Sequence, residues 1–256
     1  GKQAEKDYCF VETEDQFNKY KDQLEDAEKI VVDIETTSVS PHTGTVLGIA
    51  LSTRPHQGIY VSVDIVNNHK QWFHDLFMEK LCIFHNSKFD TNYLETEMGF
   101  VFPEYEDTML LHYCLEEAVG THGLKPLALR FTDLGDYERE LDEYKKSWAR
   151  KNKVKLADFN YGMLPSDILA PYACKDADAT FQLYGKFKPL VEKSEEFDRL
   201  YNTILLPATH AMKTLEKNGG PINIEQVNWL AEQYQIDVEE CIEEINNHEA
   251  VKRFER

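Results

Sequence analysis

The chain has 256 residues, with 46 acidic against 28 basic side chains, a formal net charge of −18, and 42% apolar and 12% aromatic residues. That length and apolar fraction suit one large domain, or a domain with an appendage, and exclude a low-complexity or disordered protein. The longest apolar stretches, such as Ile30–Val32 and Gly48–Leu51, are strand-sized, and residues 1–20 are polar and charged, so neither a membrane partner nor a signal peptide is expected.

Five cysteines (Cys9, Cys82, Cys114, Cys174 and Cys241) are scattered, odd in number and without C-x-x-C spacing. This argues against a disulfide framework and a structural zinc site, and for a reducing compartment in which most of them are small core residues. The acidic balance weighs against a polyanionic ligand, because phosphate binders usually present a basic surface. Its distribution is uneven. Lys145–Lys155 holds six basic residues and no acidic one, whereas Glu225–Arg256 holds nine acidic against three basic.

In chain order, Lys29–Glu35 reads as a buried strand, followed by Thr45–Ser52 and Gly58–Val63 with turn residues between them, which suggests an antiparallel meander. Trp72, Phe73, Leu76 and Phe77 recur at helical spacing and read as core; Leu81–His85 is a further strand and Asn86–Met98 a helix. A strand–helix–strand alternation entering a mixed sheet is an α/β signature. From Asp107 the chain reads helical, with a helix from Ser166 to about Lys186 whose first turn Pro171 distorts or shifts. A domain boundary is placed near Pro189. Beyond it a stripe from Phe197 to Leu215 is stopped by Asn218-Gly-Gly-Pro221, and Ile222–Arg256 is helical.

Asp-x-Glu occurs four times, at Asp26, Asp33, Asp136 and Asp237; three of the four lie in polar, helix-like surroundings that read as solvated faces. Asp33 and Glu35 differ, being set among Ile30, Val31, Val32 and Ile34. On a strand they point the same way, and two carboxylates side by side on a buried face require compensation, best from a divalent cation. The alternative is a strand end facing solvent. In His85-Asn-Ser-Lys-Phe-Asp90, Asn86 and Asp90 span a strand-to-helix transition, and Asn86 also suits a plain helix cap. In Tyr172–Thr180, Tyr172 and Asp176 share a helix face, a core tyrosine being the alternative for Tyr172, and Asp178 lies off that face as a surface or supporting residue. His85 and His122 lack ligand spacing, and Lys145–Lys155 is either a guide for a single strand or a solvated helix face.

Taken in this order, strand D-x-E, then N-x-x-x-F-D, then helical Y-x-x-x-D resembles the DEDD exonucleases of the ribonuclease H-like fold, in the subclass with tyrosine in the third motif. It is more similar still to the proofreading 3′–5′ exonuclease domain of family A (DNA polymerase I-like) DNA polymerases. Asp33-Ile-Glu-Thr-Thr-Ser38, Asn86–Asp90, Asp107-Thr-Met-Leu-Leu111 and Tyr172–Thr180 carry the likeness, which extends through Leu206-Pro-Ala and Leu215-Glu-Lys-Asn-Gly219. Gly220-Pro221-Ile222-Asn223 departs from the family's usual apolar residue followed by Ile-Asp.

The resemblance implies an α/β, ribonuclease H-like mixed five-stranded sheet flanked by helices, followed by a helical C-terminal extension. Residues 1–189 would be the exonuclease domain and 190–256 the helical start of a truncated polymerase domain, with no polymerase active site in this fragment. It implies two Mg²⁺ or Mn²⁺ ions held by Asp33, Glu35, Asp90 and Asp176: Asp33 bridging both, Glu35 and Asp176 completing the first, Asp90 holding the second partly through water. Tyr172 would be catalytic as a group that orients the attacking water. Thr36 and Asn86 match positions that touch the terminal nucleotide, and Val39 one that wedges near the last base. The implied partners are a single-stranded or frayed DNA 3′ end and a polymerase domain in the same chain, and the implied location is the cytoplasm of a bacterial or phage-infected cell, or an organelle. An RNA-trimming exoribonuclease of the same fold and a catalytically silent scaffold are the competing readings.

Overall fold

The structure, a computed structural model, describes residues 6–254, the side chains of residues 157, 253 and 254 excepted. Strand β1 (Asp7–Val11) leads into helix α1 (Glu14–Asp26), which starts at a capping box: Gln16 N donates to the Thr13 hydroxyl at 3.3 Å and Thr13 N to the Gln16 side chain at 3.1 Å. Strands β2 (Lys29–Thr36), β3 (Val46–Ser52) and β4 (Gln57–Ser62) form the expected meander. Helices α2 (Val63–Asn68) and α3 (Lys70–Glu79) precede β5 (Leu81–Phe84), α4 (Ser87–Tyr93, continued by a π turn over Leu94–Met98) and β6 (Tyr105–Asp107). The rest is helical: α5 (Thr108–Leu115), α6 (Leu124–Phe131), α7 (Glu138–Asn152), α8 (Ser166–Glu192), α9 (Glu195–Leu200), α10 (Leu206–Asn218), α11 (Ile224–Asn247) and α12 (Glu249–Phe254).

The mixed sheet runs β1-β4-β3-β2-β5-β6, with β3 antiparallel to β2 and β4 and the remaining pairs parallel. It has six strands where five are expected from the sequence. The two edges account for the difference in legibility: β1 is short with mostly half-buried side chains, and β6 has three residues, too few to show any period.

Alternation along β2 divides the interior. Ile30, Val32 and Ile34 face one core with Phe17, Leu24, Phe73 and Phe77, while Val31 joins Ala50, Tyr60, Ile83 and the side chains of α8 on the other face. Helix α8 crosses that second face, packing on β1 through β5. It approaches β4 so closely that a Cβ on Gly58 would stand 2.5 Å from both the Cβ and the carbonyl oxygen of Cys174, so glycine is what admits the helix. Pro171 and Pro189 both lie inside α8. Pro189 falls in its last turn, where the loss of one N–H does not stop the helix.

The compact unit therefore continues past the boundary expected near Pro189: one unit is Gly1–Thr214 and the other Leu215–Arg256. Tyr201 shows why. It is fully buried, and its hydroxyl accepts a hydrogen bond from Asp107 N at 2.8 Å, which ties the chain after α8 to the end of the sheet. The second unit is helical, and Asn223 caps α11 by accepting from Gln226 N at 3.1 Å. Among the described residues no helix is long and apolar enough to cross a membrane.

Candidate active site

Asp33 and Glu35 follow Val31 at two-residue steps and so lie on the α8 face of β2. Asp176 descends from α8 onto them. Carboxylate oxygens of Asp33, Glu35 and Asp176 lie within 4.8 Å of one another, with Glu35 and Asp176 buried and Asp33 half-buried. Asp90 enters from α4 for a backbone reason. β5 pairs with β2 only as far as Val31 and Ile83, so strand pairing on that side stops short of Ile34. The Asp90 carboxylate accepts from Ile34 N at 3.1 Å, between the two carboxylates of β2.

The cluster is electrostatically frustrated. Burial first, and then the charge of Asp176, hold the Asp33 carboxyl well above the usual carboxylate range. Glu35 is raised by burial and then by Asp33, and Asp90 by burial and then by Asp33. An all-oxygen, all-carboxylate donor set of this kind suits a hard divalent cation, which restores the ionised form of every ligand.

Tyr172 lies one turn before Asp176 on α8, as its spacing predicts, and is buried with its ring against Tyr137 (centroids 6.2 Å apart) and Tyr161 (6.0 Å). Burial and the nearby charge of Asp176 push its phenol far above the ordinary tyrosine value, so it stays protonated at neutral pH.

Two further residues, neither singled out by the sequence, touch Asp176. The Tyr137 hydroxyl donates to Asp176 Oδ1 at 2.5 Å, and the Lys125 ammonium pairs with the same oxygen. Lys125 also donates to the Tyr137 hydroxyl at 3.4 Å and stands 4.2 Å from the ring centre of Tyr172 and 4.8 Å from that of Tyr137. Neither residue carries a signal of period or motif: Lys125 is a lone lysine in the first turn of α6, and Tyr137 follows an acidic turn just before α7.

The other expected residues are placed as follows. The Thr36 hydroxyl donates to the Ser38 carbonyl at 2.7 Å, and Val39 stands 87% exposed on the loop beyond β2. Asn86 occupies the N-cap position of α4 in a left-handed conformation (φ 67°) and makes no side-chain capping bond. The capping is done by Asp107, which accepts from Ser87 N and the Ser87 hydroxyl at 2.7 Å each, Asn86 N at 3.2 Å and Met109 N at 2.9 Å. Asp178 is fully buried rather than at the surface. It accepts from the Tyr8 hydroxyl at 2.6 Å, His56 N at 2.8 Å and Gln182 Nε2 at 2.9 Å, which pins β1 and the β3–β4 turn to α8.

Of the two histidines read as ordinary in the sequence, His85 has Nδ1 2.8 Å from the Thr108 hydroxyl and is pushed down to about 4 by burial, and His122 has Nδ1 2.8 Å from His112 Nδ1. Of the basic run, Lys146, Arg150, Lys151, Lys153 and Lys155 are exposed, whereas Lys145 turns back to donate to the Tyr161 hydroxyl at 3.1 Å.

Fold and carboxylate set together define a ribonuclease H-like exonuclease domain of the DEDD class, whose members use divalent metal ions. The 3′–5′ exonuclease family model matches residues 8–192, and the chain belongs to that family, as found in DNA polymerase I-like proteins. It is 34% identical over 236 residues to the DNA polymerase of Escherichia phage T5, covering 89% of this chain and 28% of that protein. To DNA polymerase I of Pseudomonas aeruginosa it is 25% identical over 236 residues, covering 86% of this chain and 25% of that one. The chain thus spans about a quarter of the length of these relatives. Its structure is similar to that of Brucella melitensis NrnC with bound Mg²⁺, with a TM-score of 0.56 over 85% of this chain and 98% of that one; at 13% identity this is a likeness of fold.

Proposed function

We propose that this domain removes nucleotides from DNA 3′ ends by hydrolysing the terminal phosphodiester with two divalent ions, Mg²⁺ or Mn²⁺, as the proofreading module of a family A DNA polymerase. The observation that carries the reading is the convergence of Asp33, Glu35 and Asp176 within 4.8 Å, beside Asp90 and on the helix face shared by Tyr172. Divalent ions bound there would stabilise charge on the attacking, non-bridging and leaving oxygens and acidify the attacking water.

The protein's own groups do the rest. Asp33, Glu35 and Asp176 form the ion cradle on the α8 side, and Asp90 completes it from α4. Tyr172, fixed as a hydrogen-bond donor by its raised pKa, orients the water and does not remove its proton. Tyr137, donating to Asp176 at 2.5 Å, holds that ligand in place. Thr36, Asn86 and the exposed Val39 would meet the terminal nucleotide of a single-stranded or frayed end, and residues 190–256 would lead into the polymerase part of a longer protein.

Matched single-stranded DNA and RNA oligomers test the substrate. Faster shortening of DNA supports the proofreading reading, and preferred degradation of RNA would replace it with an exoribonuclease.

A further inference from the structure

Asp176 Oδ1 already has a cation. The Lys125 ammonium is paired with it, 20% exposed, and lies 4.2 Å from the ring centre of Tyr172 and 3.4 Å from the Tyr137 hydroxyl. Three features make this more than a passing surface contact. Asp176 is itself buried, with 7% of its side chain exposed, so the pair is largely withdrawn from water. Two aromatic faces and a phenol oxygen hold the ammonium on its other sides, a cage that suits a desolvated cation. Lys125 also stands near enough to Asp33 and Glu35 for its charge to act on both. The carboxylate it engages is one of the three that converge as ion ligands, and an ammonium held on that carboxylate stands against a divalent ion bound to it, two cations at short range.

We propose that Lys125 is a built-in competitor of the catalytic ion: its ammonium neutralises Asp176 until a divalent cation displaces it, so this residue sets the ion concentration at which the site becomes active. The proposal rests on the reading of Asp33, Glu35 and Asp176 as ion ligands. Lys125 acts through the ligands and not on the substrate, which makes it a positioning residue.

The test is Mn²⁺ binding, followed by electron paramagnetic resonance, in the wild-type chain and in Lys125→Met, with melting temperatures recorded in EDTA and in saturating Mn²⁺. Loss of the competitor should tighten Mn²⁺ binding by about tenfold or more, the ratio equivalent to one unit of pKa. It should also lower the melting temperature in EDTA by about 3 °C or more while leaving that in Mn²⁺ close to wild type. Equal or weaker Mn²⁺ binding by Lys125→Met overturns the proposal, because a merely structural lysine would leave the affinity unimproved. A wild-type protein that binds no Mn²⁺ overturns the reading of the site itself, and Lys125 with it. Should the variant fail to fold, acetylation of the wild type read by mass spectrometry decides: Lys125 should be protected in EDTA and react when Mn²⁺ is added, and protection unchanged by Mn²⁺ refutes displacement.

Discussion

Asp33 sits where three pressures meet: a strand that half-buries it, a second carboxylate two residues away, and Asp176 facing it from α8. Replacing it with alanine removes a proposed ion ligand and also relieves repulsion. Asp33→Ala should therefore cut exonuclease turnover by more than about a hundredfold, beyond what loss of a ligand's supporting partner brings, while the protein stays folded. Tyr172→Phe, which removes the hydroxyl proposed to orient water, should lose less in the same assay; equal losses would show that the hydroxyl carries a larger part of the chemistry. The raised carboxyls also predict a pH dependence. A group whose folded pKa is raised contributes stability that is complete below its unfolded pKa and is lost as pH rises through the folded value. In EDTA the melting temperature should fall as pH climbs above the ordinary carboxylate range, and Asp33→Asn should flatten that fall; an identical slope in the variant contradicts the assignment.

At the level of elements, the site depends on which ends of strands and helices meet. β2 is readable because Asp33 and Glu35 stand out of place among Ile30, Val31, Val32 and Ile34, and α8 because Tyr172 and Asp176 share its face. What joins them was not readable. Asp90 reaches Ile34 N because the β2–β5 ladder ends early, a property of pairing and not of either sequence segment. Asp107 looks like an ordinary N-cap before Thr108, yet it also caps α4 through Ser87 and so fixes the helix that carries Asp90. Asp107→Ala leaves several buried donors without an acceptor, and its cost is put at about 3 kcal/mol or more in urea unfolding, against roughly 1 kcal/mol for an ordinary cap. A loss at the lower figure would show that α4 does not rely on it. Proline suggests a boundary near Pro189, close to where the family match ends at residue 192, while burial of Tyr201, visible only in three dimensions, carries the compact unit on to Thr214.

Across the whole molecule, a net charge of −18 weighs against the polyanionic substrate proposed above. Three converging carboxylates with Asp90 beside them favour divalent cations, and the basic run from Lys145 to Lys155 is largely exposed, with Lys145 alone turned toward Tyr161 and so toward the site. The order of the motifs made the fold class and four carboxylates legible. Lys125 and Tyr137 stayed hidden, because one lysine and one tyrosine between motifs have no pattern until α6 and α7 fold against α8. The central claim is that these carboxylates make an ion-dependent exonuclease acting from the 3′ end. Time-resolved digestion of a single-stranded DNA labelled at its 5′ end, beside the same strand labelled at its 3′ end, tests it most directly. With Mg²⁺ the 5′ label should pass through a ladder shortening one nucleotide at a time, while the 3′ label is released at once as mononucleotide, and EDTA should stop both. Internal fragments at early times, or cleavage that persists in EDTA, would contradict it.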